Sequence, residues 1–181
     1  MNKSGHTPEE SRRINLAEWC FEIGTDHESH TRENAEFFNH FLAGNNVVDL
    51  GSGDGAANKG FKGRNITAVD INEVKLERNT AKTKKCKDFV EYLESVDSID
   101  NLFSHHSLEH SVNCDRAIEL INEKVKGCVF IAVPARDGVH ESHHVNFDSI
   151  EDIQLPNFDP IWAGELGYAN LTEIIFIGVR R

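Results

Sequence analysis

Val47-Val48-Asp49-Leu50-Gly51-Ser52-Gly53-Asp54-Gly55 is the stretch of this sequence that decides its fold. An apolar run, interrupted by one carboxylate, leads directly into three glycines at alternate positions. Glycines in such a turn let the backbone bend sharply and leave room for a ligand against the main chain. The stretch therefore predicts a strand whose carboxyl end holds a ligand.

Alternating strand and helix patterns surround this stretch. We predict parallel strands at 46–50, 65–70, 80–86, 101–105 and 127–133, with helices between them, of which 114–125 has the clearest apolar face. Two further strand-like runs, 161–168 and 172–180, predict an antiparallel hairpin. Alternation of this kind indicates an α/β fold, in which helices cover a mostly parallel sheet.

Two helices are predicted ahead of the first strand, at 7–24 and 29–42. The first begins with Thr7 as N-cap and a proline at the next position, and the second ends before Gly44. The chain has 181 residues and shows no linker or repeat, so we expect one domain over 1–181. In it, 1–45 covers the ligand site and 46–181 forms the core.

The composition excludes several classes of partner. A formal charge of -11 repels nucleic acid and anionic membranes, which favours small or protein-sized partners. Because no apolar run approaches the roughly 20 residues of a membrane span, we expect a cytoplasmic protein. The four cysteines show no C-x-x-C spacing and are expected to be reduced. The lysines at 82, 84, 85 and 87 suit an edge strand, on which charged side chains prevent edge-to-edge aggregation.

The residues around the glycine turn discriminate between nucleotide ligands. No Gly-Lys-Ser/Thr follows the turn, which excludes a triphosphate loop. Gly51, Gly53 and Ala56 satisfy a dinucleotide pattern, and Asp70 follows where a carboxylate accepts ribose hydroxyls. Asp49, however, would lie beside a pyrophosphate and instead favours a cationic ligand. S-adenosylmethionine is such a ligand, since it carries a sulfonium, an ammonium and no phosphate.

Three segments taken in order resemble class I S-adenosylmethionine-dependent methyltransferases, with the small-molecule type 11 group nearest. They are the glycine stretch, Ala68-Val69-Asp70-Ile71-Asn72, and Phe103-Ser104-His105-His106-Ser107-Leu108-Glu109-His110. The resemblance covers about 46–181 and implies a Rossmann-like three-layer sandwich, with a seven-stranded, mostly parallel sheet that ends in an antiparallel C-terminal hairpin. It also implies in-line methyl transfer to a small-molecule acceptor, with S-adenosylhomocysteine as the product.

The resemblance also implies which residues hold the cofactor. Gly51, Ser52 and Gly53 would line the methionine moiety, Asp70 would hold the ribose, and Ile71 would lie against the adenine. Asp88 and Phe89 match a position that receives the adenine amino group, although a helix cap followed by a core aromatic explains them almost as well. The full cofactor-binding set is Asp49, Gly51, Ser52, Gly53, Asp70, Ile71, Asp88, Phe89 and His105.

Histidines supply the candidate catalytic groups. The chain has ten, and six of them follow the fourth and fifth predicted strands, at the sheet edge where ligands bind. They are His105, His106, His110, His140, His143 and His144. A base is needed only if the acceptor sheds a proton, and we predict His106 and His110 in that role, without a metal.

A metal-assisted alternative stays open. His106, Glu109 and His110 would share one face if a helix began there, and His143 or His144 would complete the ligand set. That arrangement resembles metal-dependent methyltransferases acting on the 3′-terminal ribose of small RNAs. Those enzymes carry a glutamate where this chain has His106, and the acidic surface is unsuited to RNA.

The acceptor is the least determined part of the prediction. Only 135–160 remains to build specificity, together with the N-terminal helices that carry Trp19, His27 and His30. Either the acceptor is therefore small, or a second copy or partner subunit completes the site. A non-catalytic S-adenosylmethionine-binding module, an inactive subunit and a nicotinamide-dependent enzyme are the remaining alternatives.

Overall fold

The computed structural model describes residues 2–3, 7, 25–135, 143–168 and 171–181. Apart from Thr7, the predicted helix 7–24 lies outside these residues, and so do its Trp19 and Cys20 and also His140. Within them, no helix is long and apolar enough to cross a membrane.

A seven-stranded sheet forms the centre of the molecule. Its strands in chain order are β1 (Asn46–Leu50), β2 (Asn65–Asp70), β3 (Thr83–Cys86), β4 (Leu102–His105), β5 (Cys128–Pro134), β6 (Phe158–Tyr168) and β7 (Leu171–Arg180). The spatial order is β3-β2-β1-β4-β5-β7-β6. The first five strands run parallel, and β7 pairs antiparallel with both β5 and β6. The fold predicted from the sequence is confirmed, including the closing hairpin and the edge position of β3.

Helices cover both faces of this sheet. They are α1 (Thr25–Phe38), α2 (Glu73–Arg78), α3 (Phe89–Glu94) and α4 (Cys114–Lys124), with 3₁₀ turns at Ala56–Lys59, Leu108–His110 and Ile150–Asp152. A two-residue strand, Asn2–Lys3, also pairs with Val145–Asn146.

Side chains from each central strand alternate between two cores. On one face Phe103 and Phe130 pack with Phe38 of α1, while on the other Leu102 lies among the apolar faces of α3 and α4. This alternation follows from the two-residue period of a strand buried on both sides. It packs α1 against the face of the sheet that carries Phe103 and Phe130.

Two predicted elements are displaced. The helix predicted at 29–42 occupies Thr25–Phe38, because the chain leaves the helix through a tight turn in which Phe41 N donates to Phe38 O at 2.9 Å. The third strand begins at Thr83 rather than Thr80, since Asn79 Oδ1 accepts from Ala81 N at 2.9 Å and holds that segment as a turn.

Candidate active site

The glycine turn follows β1 and has two glycines with positive φ angles. Gly51 and Gly53 have φ angles of +82° and +50°, which glycine adopts readily and other residues do not. A Cβ at Gly51 would lie 2.2 Å from Ser107 Oγ. A Cβ at Gly53 would meet only the Lys75 side chain, at 3.8 Å. The turn thus packs against the β4 loop at one glycine and leaves space above the other.

Asp70 closes the turn from the end of β2. Its Oδ2 accepts from Gly53 N at 2.8 Å and its Oδ1 accepts from Asn72 N at 2.8 Å. Burial raises the pKa of this carboxyl group, although the hydrogen bonds from Asn72 and Gly53 oppose the change. Because a carboxylate oxygen accepts more than one hydrogen bond, both oxygens retain capacity for ribose hydroxyls.

Asp49 is a buried carboxylate at the base of the turn. The residue is 3 % exposed, and its Oδ2 has no hydrogen-bond partner among the described residues. Burial, and then the nearby Asp70, raises the pKa of Asp49 to about 7. An unpaired buried acceptor is costly unless a ligand satisfies it. A cation fits this position, and a pyrophosphate does not, so the residues present fit S-adenosylmethionine.

The adenine side of the predicted site has a mixed outcome. Asp88 is the N-cap of α3, with Oδ1 accepting from Val90 N at 2.9 Å, and Phe89 packs against the core. The ring of Phe89 would nevertheless lie 3.1 Å from a Cβ at Gly51, so it borders the glycine turn. Ile71 directly follows β2 and is half-buried. Asp88 therefore caps a helix and Phe89 packs as a core aromatic, and Phe89 also lies next to the glycine turn.

A compact group of five side chains lies beside the turn, and we call it the histidine–glutamate cluster: His27, His30, His105, His106 and Glu173. Glu173, on β7, is fully buried, and its carboxylate is 2.8 Å from His30 Nε2 and 2.7 Å from His106 Nε2. His105 Nε2 is 3.7 Å from the same carboxylate. Ser107 Oγ lies 3.2 Å from Gly51 O and 2.9 Å from His105 O, which joins the cluster to the turn.

The electrostatics of the cluster keep the carboxylate ionised and two imidazoles neutral. Burial raises the pKa of Glu173, but the hydrogen bonds and charges of His106 and His30 outweigh it and the net pKa is lowered. Burial, followed by the charges of His106 and His30, lowers the pKa of His27 to about 4. Burial also holds the pKa of His105 well below its usual range.

The sequence prediction identified His105 and His106 but missed Glu173. His106 has a φ of +47°, an uncommon value for a residue with a side chain, and its ring stacks on His105 with centroids 4.6 Å apart. The only signal for Glu173 was a carboxylate in a strand whose neighbours, Ile174 and Ile175, are apolar. Such a residue must be buried with a partner or face solvent.

A second cluster contains the other predicted base. Ligand atoms of Glu109, His110 and His143 lie within 4.8 Å of one another, and the rings of His110 and His143 meet edge to face at 4.9 Å. His106 was predicted to share a helical face with Glu109 and His110 if a helix began there. The helical turn covers only Leu108–His110, and His106 pairs with Glu173 instead. His144 is held instead through its backbone, with N donating to Glu109 O at 2.8 Å.

Comparisons with known proteins agree with this geometry. Residues 48–127 match the family described as a methyltransferase domain, whereas a comparison with curated sequences gives no match. Among solved structures, the N-methyltransferase NodS from Bradyrhizobium japonicum WM9, in complex with S-adenosyl-L-homocysteine, has a TM-score of 0.74 and 11 % identity, covering 94 % of this chain and 98 % of that one.

Two other solved structures share the fold over nearly the whole chain. Magnesium protoporphyrin IX methyltransferase from Synechocystis PCC 6803, with bound SAM, has a TM-score of 0.70 and 12 % identity, covering 100 % of both chains. The 1,6-didemethyltoxoflavin-N1-methyltransferase of Burkholderia thailandensis has a TM-score of 0.69 and 17 % identity, covering 99 % of this chain and 93 % of that one. Residues 48–127 thus resemble a methyltransferase domain, and the fold over nearly the whole chain is shared with S-adenosylmethionine-dependent methyltransferases.

Proposed function

We propose that this protein transfers the methyl group of S-adenosylmethionine to a small-molecule acceptor. The observation that carries the proposal is Asp49, whose buried Oδ2 is unpaired at the base of a glycine turn. A carboxylate in that position suits a ligand with positive charge and no phosphate. Two structural neighbours support a small acceptor, since one is a magnesium protoporphyrin IX methyltransferase and the other is a 1,6-didemethyltoxoflavin-N1-methyltransferase.

Different residues at and around the turn contact different parts of the donor. The sulfonium supplies a methyl group, whose carbon–sulfur bond breaks with the electron pair left on sulfur. Gly51, Ser52 and Gly53 line the methionine part, with open space above Gly53, and Asp70 accepts the ribose hydroxyls. Ile71 and Phe89 border the adenine, and Asp88 receives its amino group. Holding both reactants in line is the main task of such an enzyme.

His106 is the base that we propose for an acceptor that must lose a proton. Its Nε2 lies 2.7 Å from the buried carboxylate of Glu173, which orients the ring and stabilises a positive charge on it. The acceptor's lone pair forms the new bond to the methyl carbon, and its proton passes to the imidazole. His110, whose side chain is 17 % exposed, is the second predicted base and lies in the neighbouring cluster.

Calorimetry with S-adenosylhomocysteine and NADH tests the donor assignment. We expect the first to bind and the second not to bind. Replacing Asp70 with alanine should weaken S-adenosylhomocysteine by about 1–3 kcal/mol, because buried ribose hydrogen bonds are lost. The matched control is Asp54→Ala, since Asp54 lies in the same turn and is exposed. Equal affinities for the two variants would refute the ribose assignment, and binding without any methyl transfer would favour a non-catalytic module.

The second cluster favours one further candidate function, metal-assisted methylation of an RNA ribose. Its support is the convergence of Glu109, His110 and His143. The net charge of -11 weighs against a long RNA, since binding gains most of its affinity from phosphate contacts with basic side chains. Methyl transfer to the 3′ end of a short RNA that requires added Mn²⁺ would support this candidate, and its absence would dismiss it.

A further inference from the structure

We propose that His30, His105 and Glu173 form a binding site for a divalent transition-metal ion, with zinc as the ion that fits best. The site deepens the proposed function, because it lies beside the glycine turn and would receive the acceptor. Binding of the metal can nevertheless be measured without any methyl transfer. This site shares no residue with Glu109, His110 and His143.

The separations of the ligand atoms match those around a small metal ion. His30 Nε2 is 2.8 and 2.9 Å from the two oxygens of Glu173, and His105 Nε2 is 3.7 Å from Oε1. All three ligand atoms lie within 4.8 Å of one another. A tetrahedral zinc ion with bonds of about 2.0–2.1 Å sets its ligands about 3.3 Å apart. Shifts of about half an ångström would bring both histidine–glutamate distances to this spacing.

The protonation of His105 points to a missing cation. Thr31 Oγ1 donates its only hydrogen to the carbonyl oxygen of His27 at 3.0 Å. The same Oγ1 lies 3.2 Å from His105 Nδ1, so it must accept a hydrogen from that nitrogen. His105 Nε2 then carries a lone pair, as a metal ligand does.

That lone pair faces a carboxylate. The side chain of His105 is 1 % exposed, and Nε2 has no hydrogen-bond partner among the described residues. A lone pair directed at the carboxylate of Glu173 is unfavourable without a positive charge between them. A metal ion satisfies both groups, and the hydrogen bond to Thr31 is the outer contact that metal-bound imidazoles usually make.

The surroundings indicate what the metal would bind besides the protein. Two imidazoles and one carboxylate leave a tetrahedral ion one open position. His27 and His106 border these three ligands, and the His106 side chain is 12 % exposed, so this side reaches solvent. An acceptor with an oxygen or nitrogen donor, such as a hydroxyl group, would enter there. Coordination would make that hydroxyl more acidic and place it beside His106.

Metal content of untagged protein tests the site. We expect one zinc ion per chain by elemental analysis, and a tetrahedral cobalt absorption spectrum after exchange with Co²⁺. Glu173→Gln and His105→Ala should each lose at least nine-tenths of the metal. The controls are His40→Ala, at an exposed histidine, and His143→Ala, in the second cluster, and both should keep it.

Three other outcomes would refute this metal site. Wild-type protein that binds none of Zn²⁺, Co²⁺ or Mn²⁺ refutes it, and so does metal that is lost from His143→Ala but kept by His105→Ala. If the cluster variants do not fold, imidazole nitrogen NMR of the wild type replaces them, and an unchanged His105 Nε2 signal on adding zinc refutes the assignment. S-adenosylhomocysteine binding by metal-free protein separates a failure of this site from a failure of the proposed function.

Discussion

Replacement of Asp49 with asparagine should stabilise the free protein and weaken its hold on the cofactor. The residue is 3 % exposed, and its Oδ2 has no partner among the described residues. Burial foremost, and then Asp70, raises the pKa of Asp49 from its ordinary value of 3.8 to about 7. Asparagine keeps the shape of the side chain and removes the charge.

The size of the stability effect follows from that pKa. Between pH 3.8 and about 7 the folded chain binds a proton here that the unfolded chain has released, so stability falls as pH rises. The full cost, reached above pH 7, is at most about 4 kcal/mol, since each pH unit in the window contributes about 1.4 kcal/mol. At pH 8 the variant should therefore melt about 5–10 °C higher than the wild type. At pH 4 the two should differ little.

Affinity for the cofactor should change in the opposite direction. The cationic donor binds the ionised carboxylate, which is about one molecule in thirty at pH 5.5 and about half at pH 7. Wild-type affinity for S-adenosylmethionine should thus rise about 15-fold over this range, because less free energy is spent on removing the proton. The asparagine variant should bind about 10- to 100-fold more weakly at pH 7, as a charge-assisted contact is lost, and its affinity should depend less on pH.

Calorimetric titrations and thermal melts at four pH values measure both effects. Asp54→Asn is the matched control, because Asp54 lies in the same turn and is exposed, and it should change neither quantity. The reasoning fails if the Asp49 variant is less stable than the wild type at pH 8. It also fails if both proteins show the same dependence of affinity on pH.

Three further substitutions test the packing around the site. Gly51→Ala should abolish cofactor binding and destabilise the fold by about 3 kcal/mol or more, because its Cβ would lie 2.2 Å from Ser107 Oγ at a positive φ. The control Gly44→Ala, at a φ of +72° with no atom within 4 Å, should cost only about 1 kcal/mol. Equal losses of stability in thermal melts would contradict this prediction. Asn101→Ala should lower the free energy of unfolding in urea by about 2–4 kcal/mol, because its buried side chain forms hydrogen bonds with three backbone groups. The affinity for the cofactor should stay unchanged. Removing the charge of Lys84 on the exposed edge strand β3 should raise aggregation measured by light scattering, without a change in the melting temperature.

The fold was predictable because its signals are local. The strand from 46 to 50 and the strand from 65 to 70 are observed with the predicted bounds, since an apolar run that ends in a turn needs no distant information. The helix predicted at 29–42 is observed as α1 (Thr25–Phe38), four residues earlier at each end. Its apolar residues Ala35 and Phe38 face the core, but the turn at Phe38–Phe41 depends on a backbone hydrogen bond that a periodic pattern does not encode.

Sequence spacing gives a hypothesis only for the donor half of the proposed site. Asp49, Gly51 and Asp70 lie within one strand–turn–strand unit, so their chemistry can be inferred from spacing alone. The acceptor half depends on tertiary contacts, because His30 and Glu173 are 143 positions apart in the chain and meet through hydrogen bonds of 2.8–2.9 Å. No spacing rule connects residues on the N-terminal helix with residues on the last strand.

The antiparallel direction of β7 explains why that contact exists. The parallel strands β1, β2 and β4 end at one edge of the sheet, where Asp70 and His105 are the last residues of β2 and β4. β7 runs the other way, so its amino-terminal residues reach the same edge: Glu173 pairs in register with Pro134, the last residue of β5. A reversed final strand therefore brings a carboxylate to an edge that parallel strands alone would supply only from their carboxyl ends. The histidine–glutamate cluster is a consequence of this topology, and a glutamate at the beginning of β7 is the feature to examine when the acceptor side of a related sequence is to be predicted.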